Sequence, residues 1–131
     1  MFKNLFLAIL LIFPITANAH SPLASSFPQS GEKLNVPPAE IIMVFKSSAK
    51  LIKISLSALS EKQSKSPLGK LFGNYDGEPI ALDTSPLMKI RKRHIISLPL
   101  LGSGKYLFAW RAMGEDGHVI KGELNFTIVG V

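Results

Sequence analysis

Hydrophobic and polar positions alternate with a period of two through much of this chain, and the runs are separated by Gly, Pro, Ser and Asn. Glu40 to Lys46 is apolar and rich in β-branched residues, follows Pro37-Pro38, and predicts a strand. Leu51 to Leu59 alternates, with Ile52, Ile54, Leu56 and Ala58 on one face and Lys53, Ser55 and Ser57 on the other, the signature of a half-buried strand. His94 to Leu98 predicts another short strand. The C-terminal third is clearest. Tyr106, Phe108 and Trp110 share one face against Lys105, Leu107, Ala109 and Arg111. Beyond a Gly114 to Gly117 turn, Leu124, Phe126 and Ile128 alternate with Glu123, Asn125 and Thr127, which predicts a closing hairpin. Ser60 to Gly73 is rich in Ser, Lys and Gly, breaks the alternation and predicts a loop. No segment has a helical period and no internal repeat is present. About seven short strands predict an all-β sandwich or small barrel.

The first residues depart from this pattern. Lys3 precedes an unbroken apolar run from Leu5 to Phe13, and Ala17-Asn18-Ala19 follows as a small-residue cleavage site. The run is shorter than the roughly 20 residues that span a bilayer. Residues 1–19 therefore read as a signal peptide and residues 20–131 as one exported domain, with no membrane insertion after cleavage.

Composition narrows the function. Loss of Lys3 takes the formal net charge from +6 to +5. A basic balance suits nucleic acid, an acidic partner or an anionic membrane surface, and export argues against nucleic acid. The chain has no cysteine, so burial rather than disulfides must hold the domain. Any metal must be bound by nitrogen and oxygen.

Processing after Ala19 leaves His20 at the new terminus, with an α-amine and an imidazole that can close a chelate ring on one ion. The amine's pKa of about 7.7–8.0 lets a metal displace its proton near neutral pH. Asp116 and His118 are two apart, which puts their side chains on one face of an extended segment, and Gly117 between them relaxes the backbone. His20, Asp116 and His118 together offer three nitrogens and one oxygen. Tetragonal coordination by such donors suits Cu(II) or Ni(II), and Cu(II) binds most strongly of the divalent first-row ions; zinc accepts the same donors as a tetrahedron. Each residue also has a structural reading. A histidine can follow a cleavage site by accident, Asp-Gly is a common hairpin pair, and His118 can be a plain surface residue.

Particular motifs then point to a family. His20-Ser21-Pro22-Leu23, Ser26-Phe27-Pro28-Gln29-Ser30-Gly31 and Leu34 open the mature chain; Gly104-Lys105-Tyr106, Trp110-Arg111, Asp116-Gly117-His118 and Gly122 before Phe126 close it. In these the chain resembles the CopC copper-resistance family. The resemblance implies a periplasmic Greek-key β-sandwich or barrel (immunoglobulin-like, cupredoxin-like) that binds one copper(II) per chain through His20, Asp116 and His118. It also implies a CopD-type inner-membrane copper transport protein as partner, and a role as copper carrier or buffer rather than enzyme. The chain departs from the family at Lys46-Ser47-Ser48, where many relatives have an acidic residue, and at Gly114-Glu115, where Ser-Ala is usual. No methionine-rich copper(I) site is present, which implies a copper(II)-only member.

Two other functions fit a chelating N-terminus or a bare sandwich: a copper-dependent enzyme oxidising polysaccharide, and a metal-free interaction module. Trp110 is expected in the core. Arg111 points the other way, either to solvent or to a hydrogen bond near the site. Glu115 is a candidate accessory oxygen ligand and His94 a candidate weaker nitrogen ligand. The run Lys89, Arg91, Lys92, Arg93 and His94 reads as a charged sheet edge that resists aggregation, or as a surface docking on an acidic partner or anionic lipid.

Overall fold

The computed structural model describes residues 22–59 and 77–130. The signal segment, His20 and the expected Ser60 to Gly73 loop lie outside them. Seven strands are present: β1 (Leu23–Phe27), β2 (Glu32–Leu34), β3 (Glu40–Leu59), β4 (Glu78–Ile80), β5 (Ile90–Ser97), β6 (Gly104–Gly114) and β7 (Val119–Ile128). The all-β sandwich expected from the alternation is what forms.

Strand β3 organises the molecule. Its first half pairs antiparallel with β1 (Phe27 opposite Ile42) and with β5 (Ile42 opposite Ile95). Its second half pairs with β6 from Ala49–Gly114 to Leu59–Lys105, and β6 continues into the β7 hairpin. β4 pairs with β3 at Leu56–Ala58, and β2 runs parallel to β7. The inner faces of the two halves meet. Phe45 from the first half packs edge-on against Trp110 from the second, with ring centroids 5.3 Å apart. Ile41, Met43, Leu56, Phe108, Leu124 and Phe126 complete the buried cluster around them.

The sequence predicts Glu40–Lys46 and Leu51–Leu59 as separate strands, yet they form one strand of 20 residues. The polar break at Lys46-Ser47-Ser48 holds neither Gly nor Pro, and there the register against β5 jumps from Val44–Arg93 to Ala49–Arg91, an irregularity that bends the strand without reversing it. A bulge between Leu51 and Lys53 then resets the alternation. Leu51 and Leu56 are both buried, so the single face expected for Ile52, Ile54, Leu56 and Ala58 holds only from Ile54 onward. Strand β5 starts earlier than predicted, at Ile90, and takes in the basic run from Arg91 onward. Among the described strands it pairs only with β3, and the side chains of Arg91, Lys92 and Arg93 are exposed on that edge.

Tyr106 donates its hydroxyl hydrogen to the Gly102 carbonyl at 2.8 Å, the tyrosine corner typical of Greek-key sandwiches. Trp110 faces Gly122 across the β6–β7 ladder. A Cβ on Gly122 would lie 2.5 Å from Cζ2 of the indole, so the ring occupies the space a side chain would fill. Its buried Nε1 has no hydrogen-bond partner among the described residues.

Candidate metal centre

The β6–β7 turn is a small, fully specified structure. Gly114 N–H donates to the His118 carbonyl and Gly117 N–H to the Gly114 carbonyl, both at 3.0 Å. Gly117 has φ of 82°, a left-handed conformation that favours glycine. Asp116 uses both carboxylate oxygens on one neighbour. Oδ1 accepts the His118 backbone N–H at 3.0 Å, and Oδ2 lies 2.8 Å from His118 Nδ1.

Asp116 and His118 do lie together, for a different reason than the strand periodicity the sequence suggested. Both precede β7, and the Asp116 carboxylate folding back over Gly117 brings the pair together. Their side chains are 67% and 83% exposed, so the pair stands in solvent at the hairpin tip. The carboxylate raises the His118 pKa above its ordinary 6.5, through the hydrogen bond first and charge attraction second. His118 in turn lowers the Asp116 pKa below 3.8, mainly through the side-chain hydrogen bond and then through the backbone N–H. In neutral His118 the Nδ1–H donates to Asp116, which leaves the Nε2 lone pair directed away from the carboxylate and available to an ion.

His20 lies outside the described residues. The chain enters them at Pro22, whose carbonyl accepts the Lys46 N–H at 3.0 Å, and Leu23 sits opposite Phe45. Three residues further along β3, Ala49 lies opposite Gly114 at the base of the hairpin turn. The described start of the chain and the Asp116–His118 tip thus flank the same bend. Lys46 and Ser47 are exposed. No group of three or more His, Cys, Asp or Glu side chains able to hold a metal is assembled among the described residues, so Glu115 does not join Asp116 and His118.

His94 is a structural residue. It is 2% exposed, packs edge-on against Phe45, and presents Nε2 to the carbonyls of Ala49 at 2.9 Å and Arg91 at 2.8 Å. Between two acceptors, Nε2 carries the proton and donates, which ties the buried ring into the sheet. The sequence suggested a weak ligand because alternation alone does not reveal carbonyl partners 45 and 3 residues away. Trp110 is buried, as expected. Arg111 is exposed and makes no hydrogen bond near the pair among the described residues.

The CopC domain model matches residues 23–129. Copper resistance protein C of Escherichia coli is 31% identical over 119 residues, covering 86% of this chain and 84% of that protein. Among solved structures, CopC from Methylosinus trichosporium OB3b superposes with a TM-score of 0.57 at 19% identity, over 83% of this chain and 93% of that one. PcoC, a methionine-rich copper resistance protein from Escherichia coli, gives 0.59 at 28% identity, over 84% and 99%.

Proposed function

The chain belongs to the CopC family, and from that membership we propose that it is a periplasmic copper(II) carrier or buffer, released by cleavage after Ala19. One ion is held by the α-amine and imidazole of His20 together with Asp116 and His118. The observation that carries this reading is the Asp116–His118 pair, preassembled at an exposed tip beside the bend that also fixes Pro22. His20 is two residues from Pro22, a reach of about 7 Å in extended chain. Three nitrogens and a carboxylate oxygen favour cupric ion, and the absence of cysteine withholds the thiolates that favour copper(I). A site exposed at the chain terminus can be approached by a receiving protein, and a CopD-type inner-membrane transporter is the expected recipient.

The test compares copper(II) affinity of protein starting at His20 with protein carrying one extra residue before it. Extension abolishes the terminal chelate, so affinity should fall steeply and nitrogen hyperfine structure in the paramagnetic resonance spectrum should change. Equal affinities would exclude the chelating terminus. A His118→Ala variant that binds as tightly as the parent would exclude the tip.

A further inference from the structure

Strand register places three cations side by side on the outer face of the β3–β6–β7 sheet. Lys53 is opposite Arg111, and Arg111 is opposite Lys121. All three are exposed, and none has a carboxylate within 4 Å among the described residues. Directly opposed residues on neighbouring strands have Cβ atoms about 4.5–5.5 Å apart, and like charges there repel. The row is a local cost to the isolated protein that an external anion would relieve.

The next row toward the hairpin tip is largely apolar. Ile90 on β5, Lys50 on β3, Met113 on β6 and Val119 on β7 are successive register partners. Ile90 is 69% exposed and Val119 58%. Arg111 and Met113 are two apart on β6, as are Val119 and Lys121 on β7, so both rows project from the same face. The cations share an open depression of about 560 Å³ with Ser55, Ala109, Gly122 and Glu123, and the Glu123 carboxylate forms no ion pair with any of them. The face therefore combines exposed aliphatic side chains, unpaired cations and a shallow hollow open to solvent.

We propose that this face docks on an anionic phospholipid surface. Its cations are spread across three strands along an open depression and not around an enclosed socket, which suits a field of headgroup phosphates better than a shaped partner. The aliphatic row lies on the tip side, where it can enter the headgroup boundary, a pairing typical of interfacial binding. The proposal rests on the reading of the protein as exported and adds to it: docking restricts the carrier to the plane of the membrane and holds the Asp116–His118 tip near that plane.

The experiment is sedimentation of metal-free, processed protein with vesicles of phosphatidylglycerol mixed into phosphatidylcholine, compared with vesicles of phosphatidylcholine alone. Binding should need phosphatidylglycerol and weaken with added salt. Each Lys or Arg at an anionic surface contributes about a fivefold factor in partitioning, so Lys53→Gln/Arg111→Gln/Lys121→Gln should lose on the order of 100-fold. Lys33→Gln/Lys105→Gln alters cations that flank Thr127 at the other end of the sheet and should change binding far less. Equal binding to both vesicles, wild-type binding by the triple variant, or equal losses from both sets would each overturn the proposal. Absence of vesicle binding, with copper resistance in cells still dependent on the row, would assign the face to an acidic protein and equally overturn lipid docking. Copper titration of the same variants should match the parent, so failure of either reading leaves the other measurable.

Discussion

Replacing Gly122 by alanine puts a methyl group where the Trp110 indole already lies. The added Cβ would sit 2.5 Å from Cζ2, 2.8 Å from Cε2 and 3.0 Å from Nε1, against an optimal carbon–carbon separation of about 3.5–4.0 Å. The ring must retreat by about 1 Å, but it is only 3% exposed and is already packed on Phe45. Overpacking of this kind costs about 1–3 kcal/mol. An opposing gain exists, because Gly122 is not among the glycines with positive φ. Alanine at a compatible backbone stabilises by about 0.4–1 kcal/mol through the unfolded chain. The clash wins, leaving a net loss of about 1–2 kcal/mol and lowering Tm by about 4–10 °C. Trp110 is the only tryptophan, so its emission reports the displaced ring while circular dichroism follows the melt. Copper titration well below the melt should be preserved, since the turn is held by its own hydrogen bonds. A Tm equal to or above that of the parent would refute the claim that the indole is fixed over Gly122.

Other expectations follow from the site and the sheet. In metal-free protein, nuclear magnetic resonance should place the His118 midpoint above the ordinary 6.5, and Asp116→Asn should bring it down. The pair's contribution to stability is complete below pH 6.5 and is lost as pH rises through the raised His118 value. On the acid side it is lost only as pH falls through the lowered Asp116 value; a midpoint unmoved by Asp116→Asn would contradict this. Copper(II) competes with the same His118 proton, so affinity should begin to fall with acidification at a higher pH than for an unpaired histidine. Lys121→Glu places a carboxylate opposite Arg111 and should stabilise the fold by roughly 0.2–1 kcal/mol in chemical denaturation, an effect that fades in high salt. His94→Leu strips the donor from the Ala49 and Arg91 carbonyls and should cost about 1–3 kcal/mol in the same assay, with partial recovery in His94→Gln.

Much of this was legible where residues alternate without interruption. Tyr106, Phe108 and Trp110 are buried together as the pattern required, and the β6–β7 hairpin closes where Gly114 to Gly117 announced it. Legibility failed where backbone geometry changed the count. The bulge at Leu51/Lys53 shifts which residues face inward, and no residue type marks its position. Strands β1, β2 and β4 are short and lack alternation, so their partners define them. The Asp116–His118 pairing was visible as a motif, but its carboxylate-capped turn was not. The cation row was invisible for a plain reason: Lys53, Arg111 and Lys121 are distant in sequence, and only the register makes them neighbours.

The bend in β3 has a bearing on how this fold tolerates change. Spacing between the chain's entry point and the hairpin tip is measured out by Lys46 to Ala49, a few links of one strand shared by both layers. Lengthening a connection elsewhere, such as Pro28–Gly31 between β1 and β2, leaves that ruler untouched. One residue inserted at Ser47 would turn every following side chain of β3 to the opposite side and shift the tip away from its counterpart. Variation in length should therefore be found around this short stretch and not within it.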